Sequence, residues 1–193
     1  DRFSLTKHSS VMEIVNAIGI DEYQEMTGFA LVRNPYSTFE SFYGWIGKIF
    51  AYRAKNNNST VQDLKNVVAT GDEKADQLHF AKWGSAMAFA KSTSFNSFVE
   101  TCMENRFLPQ TSMCKRLGVG TEFEPEHIYL LEEIERFWIA LENHLGTSLK
   151  RTHANVSKSQ SNYTWNLKNF EKVSQVFSED IEQFDFNYEP VIR

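Results

Sequence analysis

The sequence predicts an α/β fold with helix in excess, on three observations. Two short apolar runs, Phe29-Ala30-Leu31-Val32 and His127-Ile128-Tyr129-Leu130-Leu131, have the length and composition of buried strands. The first is stopped by Arg33-Asn34-Pro35, because proline fixes its own φ and drives Asn34 out of the helical region. The segments around both runs carry apolar residues at helical spacing, and strands alternating with helices indicate an α/β arrangement.

The elements follow in chain order. Ser9-Ser10 precede Val11, Ile14, Val15 and Ile18, an apolar stripe that ends at Gly19; a hydroxyl cap and a terminal glycine predict a short helix. After the first strand, Tyr36 to about Tyr52 reads as a long aromatic-rich helix, broken by the polar loop Asn56-Asn57-Asn58-Ser59. Val61 to Ala69 reads as a short helix with Gly71-Asp72 as its exit, and Gln77 to Glu104 as helical with a boundary at Ser92-Thr93-Ser94. Leu117 to Pro125, with Gly118 and Gly120, reads as a loop before the second strand. Glu135 to Leu145 is helical and stops at Gly146; Lys150 to Ser161 is a polar, basic loop. From Tyr163 onward, Leu167, Phe170, Val173, Val176, Phe177, Ile181 and Phe184 form an amphipathic stripe. No internal repeat interrupts this order.

The bulk numbers narrow the function classes. A chain of 193 residues with 41% hydrophobic and 14% aromatic residues is long and apolar enough for one domain with a packed core. A net charge of −5 and a pI near 5.6 argue against a general nucleic-acid binder, which needs a broad basic face, but not against a small anionic ligand held by one or two arginines. Cys102 and Cys114 make neither a disulfide scaffold nor a zinc site; a single disulfide between them stays open. No His/Cys/carboxylate cluster has metal-ligand spacing, so no metal is expected. No apolar run reaches membrane length and no signal peptide is visible. Asn57, Asn58, Asn155 and Asn162 head glycosylation sequons and lean towards a secretory lumen, whereas the cysteine usage leans slightly towards the cytoplasm. The first residue is Asp1 rather than methionine, and an upstream segment is expected.

The strand-stop stretch carries the chemistry. An arginine at a strand end sits where open α/β sheets bind ligands, and Ser41 follows about two turns into the next helix. A guanidinium fork and a hydroxyl suit a phosphate or sulfate. The form Val32-Arg33-Asn34-Pro35-Tyr36, with Ser41 and Tyr43 after it, resembles the 3′-phosphate-binding motif of sulfotransferases that use 3′-phosphoadenosine-5′-phosphosulfate (PAPS). Further likenesses run along most of the chain, in the family's order. Leu131-Glu132-Glu133-Ile134 and His144-Leu145-Gly146 resemble the family's second strand with its glutamate and the following helix end. The closing segment Val173 to Phe186 resembles the family's terminal helix, and Asn155-Val156-Ser157 before it and Lys7-His8-Ser9-Ser10 resemble its carbohydrate and membrane-bound branch.

The resemblance implies a P-loop-like sulfotransferase fold, a small parallel sheet flanked by many helices, over one domain from 1 to 193 that is incomplete at its N-terminus. It implies PAPS as the sulfuryl donor, adenosine 3′,5′-bisphosphate as product, and a carbohydrate or small-metabolite hydroxyl as acceptor. Arg33 and Ser41 would bind the 3′-phosphate. Arg151, in the basic group Lys150-Arg151-Thr152 with Lys158, would belong to the loop that closes over the cofactor. His8 is the candidate base, since imidazole titrates near neutral pH. Two departures stand against the family pattern. Thr38 occupies a position that is commonly arginine, and no Lys-rich Gly/Ser/Thr loop for the 5′-phosphosulfate precedes Arg33; Lys82-Trp83-Gly84-Ser85 looks similar but follows it.

Each candidate has a plainer reading beside it. Arg33 would make a structural ion pair, Ser41 would bond back to its own helix, and Arg151 or Lys115-Arg116 would be solvated. His8 would cap a helix. His127, His144 and Glu132 read as structural. Of the aromatic stretch Phe39 to Tyr52 most residues read as core, with Trp45 and Tyr52 open to stacking on a sugar or aromatic acceptor. Two other function classes remain: a sulfotransferase-like binding module without catalysis, and a mainly helical interaction protein.

Overall fold

A computed structural model supplies the coordinates and describes residues 5, 9–71, 83–151, 163–186 and 191–192. The described residues are mostly helical, with two small parallel strand pairs among them. In chain order the elements are α1 (Val11–Ile18), α2 (Ile20–Gln24), β1 (Phe29–Val32), α3 (Pro35–Asn56), α4 (Val61–Thr70), α5 (Gly84–Lys91), α6 (Phe95–Glu104), α7 (Met113–Leu117), β2 (His127–Leu130), a 3-10 turn (Leu131–Glu133), α8 (Ile134–Leu145), β3 (Thr164–Trp165), α9 (Leu167–Val176), α10 (Ser178–Phe184) and β4 (Val191–Ile192). Contacts divide the chain into two compact units: Asp1–Asn34, Gln110–Val156 and Phe177–Phe186 in one, Pro35–Pro109, Ser157–Val176 and Asn187–Arg193 in the other.

The first unit is built on β1 and β2, which pair in parallel with Phe29 opposite His127 and Val32 opposite Leu130. The pairing is extended at its start by His127 N–H donating to the Gly28 carbonyl at 3.1 Å. The chain passes close at Gly28, where a Cβ would stand 3.0 Å from both Cα and Cβ of Pro125. The apolar core gathers Val32, Met113 and Leu117, with Ala30, Ile128, Leu130, Val119, Phe184 and Phe186 against them. α1 starts at a complete capping box, in which Ser10 Oγ accepts from Glu13 N–H and the Glu13 carboxylate accepts from Ser10 N–H. α8 stops at Gly146, whose φ of +64° is the left-handed state that terminates helices.

The five-residue helix α7, which the sequence does not announce, is organised by Asp180. This fully buried carboxylate on α10 accepts from Ser112 Oγ at 2.7 Å, Met113 N–H at 2.8 Å and Cys114 N–H at 3.0 Å. These are the amides a helix start leaves without an internal partner. The signal is therefore tertiary, from a residue far along the chain, and helical periodicity in so short a segment cannot reveal it.

The second unit is a helical cluster around the buried face of α3. Tyr36, Phe39, Ile46, Phe50 and Ala54 line that face, with Leu64 and Val68 of α4, Phe89 of α5, Phe98, Val99 and Cys102 of α6, and Val173 of α9 also buried in this unit. Trp165 on β3 is fully buried, edge-on to the rings of Tyr36, Phe39 and Phe95, and donates from Nε1 to Glu40 Oε1 at 2.9 Å. Asn96 ties the β3 segment to α6, donating to the Thr164 carbonyl at 2.8 Å and accepting from Asn166 N–H at 2.9 Å. Ser94 caps α6 by accepting from Ser97 N–H at 3.2 Å, which fixes the expected boundary after Ser92.

Candidate functional site

Arg33 follows the last residue of β1, at the C-terminal end of that strand, in the first unit. It is half-buried, and its carbonyl accepts a long hydrogen bond from Gln110 Nε2 at 3.5 Å. Asn34 and Pro35 behind it are buried, and Pro35 opens α3, so only Arg33 and Asn34 separate the strand from the helix. Ser41 is half-buried in the second turn of α3, in the second unit. Thr38, where the family commonly has arginine, is buried.

Arg151 is engaged by two carboxylates of α8. Its Nη2 donates to Glu142 Oε2 at 2.7 Å, its Nε to Glu142 Oε1 at 3.4 Å and its Nη1 to Glu135 Oε2 at 2.6 Å. Glu142 Oε1 also accepts from Leu149 N–H at 3.0 Å, so one side chain fixes both the turn after α8 and the guanidinium. The Arg151 fork holds the Glu142 carboxyl below the usual carboxylate range, helped by the Leu149 amide, and Glu142 in turn raises the arginine's proton affinity. The plainer reading of Arg151, a solvated loop residue, thus gives way to a bidentate clasp.

The remaining candidates are spread over the chain. His8, Lys158 and the sequence Asn155-Val156-Ser157 lie outside the described residues, as do Lys7 and Lys82. His127 and His144 flank the Phe29 ring, at centroid distances of 4.6 and 5.3 Å, which gives both a packing role. Glu132 is exposed in the 3-10 turn, and Lys115 and Arg116 form the last turn of α7. Gly84-Ser85 opens α5, and a Cβ on Gly84 would stand 2.4 Å from the Phe107 ring; packing, not a phosphate, accounts for that glycine. Trp45 and Tyr52 are exposed, while Phe39, Ile46 and Phe50 from the same aromatic stretch are core.

Cys102 and Cys114 are both free, buried thiols. Burial pushes each thiol up to about 12, and for Cys114 the Asp180 carboxylate adds to the effect. Neither is a nucleophile at neutral pH. Among the described residues, no group of three or more His, Cys, Asp or Glu is placed to hold a metal ion, and no helix is long and apolar enough to cross a membrane.

No protein-family model, no curated protein and no solved structure matches this chain. Its functional reading therefore rests on its own residues. What the sequence reading missed is the carboxylate pair around Arg151 and the stacking of Trp83 on Trp45, at 5.5 Å with the rings 12° apart. The first had a faint signal, since Glu135 and Glu142 are spaced seven apart on one face of α8. The second had none.

Proposed function

We propose that the protein is a PAPS-dependent sulfotransferase that transfers a sulfuryl group to a hydroxyl of a carbohydrate or small metabolite. One observation carries the reading. The stretch Val32-Arg33-Asn34-Pro35-Tyr36, with Ser41 after it, bridges the C-terminal end of a parallel strand and the start of a long helix. Strand ends of this kind are where α/β sheets take their ligands.

In the reaction, an oxygen of the acceptor hydroxyl bonds to the sulfur as the bond from sulfur to the 5′-phosphate oxygen breaks. The acceptor proton passes to a base, and adenosine 3′,5′-bisphosphate leaves. The chain's part is to hold the donor in line and to offset its negative charge. By the motif, the Arg33 guanidinium pairs with the 3′-phosphate and the Ser41 hydroxyl donates to it. His8 is the candidate base.

A second reading is a sulfotransferase-like binding module without catalysis. It is favoured by Arg151, whose fork is already matched by Glu142 and Glu135 rather than presented to a ligand. Two measurements separate the readings. Calorimetric titration with adenosine 3′,5′-bisphosphate is expected to show micromolar binding that Arg33→Ala weakens strongly while leaving the melting temperature unchanged. Radiolabel transfer from PAPS to a panel of hydroxyl acceptors is expected only of the enzyme; nucleotide binding with no transfer to any acceptor identifies the module.

A further inference from the structure

The outward face of α3 carries a pattern that starts at Ser41 and runs on past what the fold or the 3′-phosphate motif needs. Ser41, Trp45, Lys48, Tyr52 and Lys55 recur at spacings of four, three, four and three residues. At about 100° per residue they lie within about 40° of a single line along the helix. That line runs opposite the buried Phe39 and Phe50. Trp45 is 37% and Tyr52 64% exposed, and Lys48 and Lys55 are exposed as well. Trp45 is not a loose surface ring: it stacks on Trp83 and packs against Phe42 at 5.3 Å, so its plane is fixed before anything binds.

The charge along this face is one-sided. Residues 41–62 contain Lys48, Arg53 and Lys55 and no Asp or Glu, in a chain whose net charge is −5. None of the three cations forms an ion pair with a described residue. The next acid in sequence, Asp63, is occupied by the start of α4, where it accepts from Thr60 N–H at 3.0 Å and from Thr60 Oγ1 at 2.6 Å.

We infer that this face of α3 is a docking strip for an acidic carbohydrate chain. The fixed plane of Trp45 and the exposed ring of Tyr52 offer apolar area to the C–H faces of sugar rings, and the lysines pair with carboxylate or sulfate groups. The distance from Trp45 to Tyr52, seven residues at a rise of 1.5 Å each, is about 10 Å, as is that from Lys48 to Lys55. This is roughly the length of a disaccharide, so one ring and one cation meet each repeat. A neutral sugar would leave the lysines without a role. A nucleic acid would stack equally well, but it draws its affinity from neutralising many phosphates, and this strip offers two cations in an acidic protein. The strip begins at Ser41, and only the role of the docked chain as acceptor rests on the sulfotransferase reading; binding itself does not.

The test uses the full chain without nucleotide and follows tryptophan fluorescence. The probes are the hexamer of galacturonic acid, the neutral glucose hexamer cellohexaose, and hexauridylate. The galacturonate hexamer is expected to change the emission and to bind at least about tenfold more tightly than either other probe, an advantage that falls with added salt. The double variant Lys48→Glu/Lys55→Glu, which alters only exposed side chains, is expected to lose about tenfold in that affinity while keeping its melting temperature unchanged. Trp45→Ala is expected to abolish the fluorescence change. Equal binding of the neutral hexamer, tighter binding of hexauridylate, or unaltered affinity in the double variant would each overturn the inference. Because the nucleotide is absent, failure of the sulfotransferase reading leaves this outcome intact, and the reverse also holds.

Discussion

Asp180 shows how much one side chain can organise. Its carboxylate satisfies two buried amides at the start of α7 and the half-buried Ser112 hydroxyl. Removing it leaves those donors buried without an acceptor, and each orphaned buried group costs about 1–3 kcal/mol. Asp180→Ala is therefore expected to lower unfolding stability by about 3 kcal/mol in urea titration, with Asp180→Asn, which keeps one acceptor oxygen, intermediate. Glu142 is a residue of a different kind, since its effect depends on pH. Its carboxyl is held below the ordinary value by Arg151 and the Leu149 amide. A depressed folded value means that the clasp stabilises the fold fully above the unfolded glutamate value of about 4.3, and that this contribution is lost as pH falls through the lower folded value. Melting temperatures measured from pH 6 down to pH 3 are expected to fall less steeply in Glu142→Gln than in the parent; identical slopes would show that the clasp carries no linkage.

At the scale of elements, legibility in the sequence followed the range of the signal. α1, β1 and α8 emerge where they were expected because their limits are written locally: the Ser10 capping box, the Arg33-Asn34-Pro35 stop and Gly146. α3 runs from Pro35 to Asn56, beyond the expected Tyr52, since its last turn is stopped by the Asn57-Asn58 turn rather than by loss of apolar pattern. The closing stripe from Leu167 to Phe184 is real but divides at Phe177 into α9 and α10, which belong to different units. Periodicity reports which face is apolar, not which partner it meets. α2, α7 and the two-residue strands β3 and β4 escaped notice because they are short and held by contacts distant in sequence. Where a local signal sets a boundary, its removal has a defined cost: Ser94→Ala, which deletes the cap of α6, is expected to destabilise by about 1 kcal/mol, read from the shift in denaturation midpoint.

At the scale of the whole molecule, both units are discontinuous in sequence, and β1 pairs with β2 across the entire run from α3 to α7. Local patterning cannot announce such a division, which depends on contacts between distant segments. The candidate site was legible as a motif, Arg33 to Ser41, because proline chemistry and strand ends leave marks in sequence; the carboxylates that hold Arg151 and the Trp45–Trp83 stack are products of packing. The whole-molecule charge sets the remaining contrast: an acidic protein whose long helix α3 carries no acid from Ser41 to Asn56. The proposed function turns on the Arg33 motif taking a nucleotide 3′-phosphate. Calorimetric titration of the chain with adenosine 3′,5′-bisphosphate, against the same titration of Arg33→Ala and with 5′-AMP as the ligand lacking the 3′-phosphate, tests it directly. Micromolar binding to the parent chain is expected, with a loss of at least about tenfold in affinity on either change, the cost of one charge-assisted phosphate contact. Equal affinity of the parent and Arg33→Ala, or of the two nucleotides, would contradict it.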